Sequence, residues 1–145
     1  MFSKCTSLTR APEMYATELA NSCCLSMFGG CTSLTQAPEL PATTLASTCY
    51  HSMFQNCTSL VKAPDLPAPI ISSEQDYQEM FKGCKSLNYI KCLATQVANA
   101  SGSYIRLSNW VYGVSSTGDF YTPKDTLWRV ADDGIPSGWT RHDIT

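Results

Sequence analysis

Cysteine is the residue of this sequence with the widest chemical range, because a thiolate can act as a nucleophile, bind a metal or form a disulfide. The chain has eight cysteines, and four of them recur at one spacing: Cys5, Cys31, Cys57 and Cys84. No C-x-x-C pair occurs and the only histidines are His51 and His142, so no metal site is expected. Cysteines that recur in one phase predict a buried row of small apolar thiols. Oxidation of neighbouring members to a disulfide is the alternative.

Carboxylates are the second group of residues that could do chemistry. One acidic position recurs, as Glu13, Glu39 and Asp65, and Asp132-Asp133 precedes a glycine in a predicted turn. A general acid and its base need different environments to separate their pKa values, whereas carboxylates that repeat share one environment and predict a solvated edge. The sequence contains no G-x-S-x-G, H-E-x-x-H, P-loop or G-x-G-x-x-G motif. We therefore expect no enzymatic activity and no cofactor.

The elements that position these residues repeat along the chain. The string MFSKCTSLTRAPEMYA from Met1 returns as MFGGCTSLTQAPELPA from Met27 and MFQNCTSLVKAPDLPA from Met53. A fainter fourth copy, MFKGCKSLNYIKCLA, begins at Met80. The copies are therefore offset by 26, 26 and 27 residues. A period in the twenties with leucine at fixed offsets is typical of a solenoid.

The pattern within one copy predicts one helix and one short strand. In LASTCYHSMF, residues 45–54, apolar side chains recur at spacings of three and four, which favours a helix. In SLTQAPEL, residues 33–40, Leu34 and Leu40 point inward, and Pro38 limits the strand to a few residues. We predict an α/β solenoid of right-handed, leucine-rich-repeat-like coils of about 26 residues, each a short parallel strand plus a helix.

The period is lost after about residue 93. Residues 94–145 hold all three tryptophans, and WVYGVSSTGDFY alternates apolar with small or polar residues, which favours strands. We predict two domains: a repeat array over residues 1–93, truncated at its N-terminus, and a β-rich capping segment over residues 94–145. Such a segment would cover the exposed end of the array.

The three best copies resemble the BspA-like leucine-rich repeat family of bacterial cell-surface proteins, of the type found in gut bacteroidetes. That family places an aromatic residue, two residues, Cys, two residues and then Leu before a short strand. Phe28, Cys31 and Leu34 match this pattern, and the equivalent residues of the next two copies do so too. The resemblance covers roughly residues 1–93 and implies adhesion and protein binding at a bacterial cell surface, as a secreted protein, without enzymatic activity.

Function is expected where the copies differ. The position two residues after the repeated leucine reads Arg10, Gln36, Lys62 and Tyr89, and its alternation with inward positions predicts that it projects outward. We name these four residues the variable row. We expect it to form a binding face for a host or matrix protein. The alternative is a carbohydrate platform built from Trp110, Trp128 and Trp139, with Tyr104, Tyr112 and Tyr121 beside them.

Composition and hydropathy limit the classes of partner and the location that we expect. The net charge is -2, only 15% of residues are charged and the basic residues are scattered, so no nucleic-acid binding is expected. No apolar run is long enough to span a bilayer, so no direct membrane insertion is expected. The first residues do not resemble a signal peptide, and the chain begins with Met-Phe, the pair with which each later copy begins. We expect a fragment of a longer cell-surface or extracellular protein.

Overall fold

The protein is built mainly from turns. A computed structural model describes residues 1–71, 75–98, 102–103 and 105–145. Its regular elements are the strands β1 (Tyr89–Lys91), β2 (Gly118–Pro123) and β3 (Trp139–Ile144), and one 3-10 turn at Ile105–Leu107. No helix in these described ranges is long and apolar enough to cross a membrane.

The three strands form one parallel sheet in the order β1-β2-β3. Ile90 lies opposite Phe120, and both side chains are fully buried. The intervening positions, with Tyr89 opposite Asp119, point away from this core. A single bridge extends the pairing from Tyr89 to Lys62 of the third copy. The strand β1 belongs to the fourth copy, whereas β2 and β3 lie after the predicted boundary at residue 93. The sheet therefore crosses that boundary. The division into two domains stays a prediction.

Tight turns occupy the segment in which a helix was predicted. Met27 N–H donates to the carbonyl of Cys24, three residues earlier, at 3.1 Å, whereas the adjacent Phe28 N–H donates to Met53 of the next copy at 2.9 Å. This alternation continues on both sides of the pair. An α-helix instead sends each N–H to the carbonyl four residues earlier. Half of the amides in this segment therefore pair locally and half pair with the neighbouring copy.

Left-handed residues every four positions produce this alternation. The first set, which runs from the end of the first copy into the second, is Ser22, Ser26 and Gly30, with φ of 57°, 50° and 76°. The equivalent positions repeat with positive φ in the later copies: Thr48, Ser52 and Asn56, then Gln75, Glu79 and Gly83. A residue with positive φ at the third position of a turn is what a type II turn requires. A helix needs φ near -63° throughout, so these residues exclude it.

The predicted leucine-rich-repeat-like α/β solenoid of strand-plus-helix coils is therefore wrong. Helical structure in the described residues is confined to Ile105–Leu107, and the strands form one open three-stranded parallel sheet. In the first three copies the predicted strand is reduced to single bridges, such as the one between Arg10 and Gln36, and the fourth copy forms the short strand β1. The physical reason is the left-handed backbone, which turns the chain before a helical hydrogen bond can close.

The core is nevertheless made of the repeated apolar residues. Phe28, Phe54 and Phe81 are fully buried and lie in a row that begins at Phe2. Successive ring centroids in this row are 5.5, 5.6 and 5.8 Å apart, with nearly parallel planes. Offset aromatic stacking of this kind adds to the free energy of burial. Neighbouring copies therefore share one continuous core.

We predict that Phe54→Ala lowers the free energy of unfolding by about 3–5 kcal/mol, because it leaves a cavity between two stacked rings. Denaturant titration followed by fluorescence measures this change. Phe2→Ala is the matched control, and it should cost clearly less because Phe2 is only half-buried and has a ring on one side. Equal and small losses for both variants would contradict a core built on this row.

Candidate functional site

The variable row lies along one face of the protein. A parallel bridge joins Arg10 to Gln36, and another joins Lys62 to Tyr89. Arg10, Gln36 and Lys62 are exposed and Tyr89 is half-buried. The structure thus brings the four predicted residues side by side. Their role in binding remains a prediction, since position alone does not establish a ligand.

An open groove of about 980 Å³ runs beside the variable row. Arg10, Gln36 and Lys62 line it, together with the repeated acidic position and with small and cyclic side chains from the repeated Ala-Pro pairs. The acidic residues are Glu13, Glu39 and Asp65, and the small and cyclic residues are Ala11, Ala37, Pro38, Ala63 and Pro64. Basic, acidic and uncharged groups therefore share one groove.

Two of the three groove carboxylates have partners within the protein. Lys91 Nζ lies 3.0 Å from Asp65 Oδ2, and this pairing raises the pKa of Lys91. The Tyr15 hydroxyl donates a hydrogen bond to Glu13. Across the described residues, Glu39 makes no ion pair.

The basic residues that line the groove are Arg10 and Lys62. In the described part of the chain neither Arg10 nor Lys62 makes an ion pair. Lys62 Nζ instead lies over the Tyr89 ring, 4.8 Å from its centroid. A cation–π contact of this kind holds an ammonium in place without neutralising it. The groove therefore offers two positive charges with no acidic partner of their own.

A stack of rings continues from Tyr89 across the sheet. Its centroid lies 5.1 Å from that of Tyr121, which lies 4.5 Å from the nearly parallel His142 ring. His142 Nε2 lies 2.7 Å from Asp119 Oδ1. The Tyr89 ring is therefore in contact with Lys62 and with Tyr121.

Sequence reasoning missed Asp119 and His142 as neighbours of the variable row, and it assigned Tyr121 to the tryptophans. Asp119 and Tyr121 are separated by the buried Phe120, so their alternation did indicate one exposed strand face. The pairing of β2 with β1 and β3 places that face beside Lys62. No local pattern in the sequence gives this register, because long connections join the three strands.

The predicted sugar platform has little free ring surface. Trp110 is fully buried and its Nε1–H donates to the carbonyl of Gly134 at 2.9 Å. Trp128 is half-buried, stacks on Trp110 at 5.7 Å and donates to Thr122. The indole of Trp139, 9% exposed, donates to the carbonyl of Ser115 at 2.7 Å. These contacts are those of packing residues.

The remaining members of the predicted platform are dispersed. Tyr112 is 53% exposed but has no ring neighbour among the described residues, and Tyr121 belongs to the stack next to the variable row. Tyr104 lies outside the described residues. The arrangement therefore does not favour the carbohydrate alternative.

The repeated cysteines pack as predicted. Cys31, Cys57 and Cys84 are fully buried thiols, and each Sγ–H donates to a phenylalanine carbonyl in the preceding copy at 3.0 to 3.1 Å. Burial raises the pKa of Cys57 to about 12 and that of Cys84 well above its ordinary value. A thiol with so high a pKa is neutral at physiological pH and a poor nucleophile. The predicted buried row is confirmed for these three cysteines, whereas Cys5 in the first copy is exposed.

Other chemically capable groups do not converge. The described residues contain no group of three or more His, Cys, Asp or Glu side chains that could hold a metal ion. Asp133 pairs with Arg129 through both carboxylate oxygens, which fixes the local turn. The groove beside the variable row is thus the strongest candidate site in the part of the chain that the structure describes.

Thiol reactivity tests the assignment of the cysteines. Cys5 and Cys23 are exposed and the other six cysteines are buried. We predict that a mild disulfide reagent modifies these two at once in the native protein and the other six only as fast as the protein unfolds. Rapid, saturable modification of a buried thiol would instead reveal an activated nucleophile.

The same burial makes stability depend on pH. An unfolded thiol ionises near its ordinary pKa of 9.0, whereas burial raises the pKa of folded Cys57 to about 12. The stabilisation is complete below pH 9.0 and is lost as the pH rises through 12, because only the unfolded state releases its proton in that interval. The free energy of unfolding should therefore fall in this range. Cys57→Ala should flatten the fall, and Cys5→Ala provides the reference slope.

Comparison with known proteins adds no assignment. No protein-family model, curated protein or solved structure gives a significant match to the chain. The resemblance of the repeated string to BspA-like proteins therefore stays a prediction. The function has to be argued from the groove and the variable row themselves.

Proposed function

We propose that this chain is a non-enzymatic interaction module, which binds a host or matrix protein through the variable row and the adjoining groove. The observation that carries the proposal is the groove itself, which Arg10, Gln36 and Lys62 all line. We further propose a cell-surface or extracellular location, in keeping with the resemblance of the repeated string.

Differences among the copies support the proposal. The repeated leucines before the variable row are buried in the core from the second copy onward, at Leu34, Leu60 and Leu87. Their side chains cannot change without a cost in packing. The variable row lies two positions later and faces solvent, so its side chains can change freely. A face that varies on a constant core is suited to recognition.

Order within the face supports it too. Tyr89 is stacked between Lys62 and Tyr121, and Tyr121 is held against His142. A side chain that is already held in place loses less conformational entropy when a partner binds. The Tyr89 end of the variable row is therefore partly preorganised.

The test is to replace the whole variable row. We predict that Arg10→Ala, Gln36→Ala, Lys62→Ala and Tyr89→Ala together lower binding to immobilised matrix proteins at least about tenfold, since they remove the central contacts of the interface. Surface plasmon resonance measures the dissociation constant, and circular dichroism checks the fold.

A matched control removes two charges outside the groove. Lys4→Ala with Lys85→Ala changes exposed lysines that do not line it. Binding that this control retains and the row variant loses supports the proposal. Equal binding by both variants would remove the groove as the site, and absence of binding by the unchanged protein would reject a matrix partner.

A further inference from the structure

The groove offers unpaired charges of both signs. Lys91 pairs with Asp65, and Glu13 accepts a hydrogen bond from Tyr15 but keeps its negative charge. Arg10, Lys62 and Glu39 line the groove and make no ion pair among the described residues. A ligand that brings a negative group to each cation and a positive group to Glu39 is therefore complementary to the groove.

The groove carboxylates oppose a polyanion as that ligand. Glu13, Glu39 and Asp65 are all exposed and all line the groove. A nucleic acid or another polyphosphate would bring further negative charge against these three carboxylates, and like charges placed together oppose binding. A ligand with separate negative groups and a positive group between them fits these charges.

Spacing along the groove indicates an extended polypeptide. Arg10 and Lys62 are two copies apart, and neighbouring chains in a sheet are about 4.8 Å apart, so their backbones are separated by about 10 Å. Three residues of a polyproline II chain span about 9 Å and complete one turn, so side chains three residues apart point the same way, whereas in a β-strand they would point to opposite faces. Acidic side chains three residues apart in a polyproline II segment therefore match the two cations.

The prolines that line the groove limit how such a segment binds. Pro38 and Pro64 have no N–H group to donate. The segment must therefore be held mainly through its side chains. The Gln36 amide lies between the two cations and carries both a donor and an acceptor. It is suited to the polar residues in the middle of the segment.

We infer that the groove binds an extended acidic peptide segment of a protein partner, with two Asp or Glu residues three positions apart and a basic residue between them. One carboxylate pairs with Arg10, the other pairs with Lys62 above the Tyr89 ring, and the basic residue faces Glu39. This inference rests on the proposed function and names the chemistry of its partner.

Two isomeric peptides test the spacing. Rhodamine-labelled, C-terminally amidated Gly-Asp-Pro-Lys-Asp-Pro-Gly carries its acidic residues three positions apart, and Gly-Asp-Lys-Asp-Pro-Pro-Gly carries the same residues two positions apart. Fluorescence anisotropy with the full chain should show the first isomer binding roughly fivefold more tightly, because only it reaches both cations.

Single-charge variants show where the difference arises. Lys62→Gln should reduce the preference between the isomers to nearly one, and Lys85→Gln, outside the groove, should leave it unchanged. Added salt should weaken the better isomer more than the other. Equal affinities for the two isomers, or a preference that persists in Lys62→Gln, would overturn the inference.

The peptide and matrix-protein experiments separate the two proposals. If the matrix partner depends on the variable row while neither peptide binds, the acidic-segment inference fails and the proposed function stands. If the matrix partner binds independently of the row, the proposed function fails. A spacing-dependent peptide signal in that case would still locate an acidic-segment site in the groove.

Discussion

The main-chain hydrogen bond between neighbouring copies is the interaction on which this structure depends. A chain made almost entirely of turns has few internal partners for its amides, and an unpaired buried amide is costly. Here the alternate amides of each turn segment find carbonyls one period away, as Phe28 does with Met53 and Phe54 with Met80 at 2.9 Å. Regular pairing is thus achieved between copies although it is scarce within them.

Side-chain order follows from this backbone pairing. Once the backbones are aligned, equivalent residues must lie over one another, which produces the phenylalanine row and the buried thiols that donate to phenylalanine carbonyls. The same alignment sets Arg10 beside Gln36 and Lys62 beside Tyr89 on the outer face. The core and the candidate site are therefore two sides of one arrangement, and the sheet adds Tyr121 and His142 to its end.

Periodicity in the sequence predicted which residues would be buried, but it did not predict the local backbone. Cys49, Tyr50, Met53 and Phe54 are all buried, as a helical spacing implied. That spacing also results from turns that repeat every four residues, and the two cannot be separated by apolar pattern alone. The deciding residues, such as Thr48 and Glu79, adopt positive φ although their types rarely do. Tertiary pairing outweighs this local preference, so the helix prediction failed. The variable row was recognisable because it needed only the period, whereas Asp119 and His142 needed the sheet register.

Equivalent interfaces between neighbours also bear on how such a chain evolves. The first copy meets the second through the same Phe and main-chain contacts by which the second meets the third. Duplication or deletion of one whole 26-residue unit at the level of the gene would therefore rejoin surfaces that already fit. Each added unit would lengthen the groove by one outward side chain and one carboxylate. The reach of the protein along an extended partner is thus a quantity that recombination can adjust in steps, without selection having to rebuild the core.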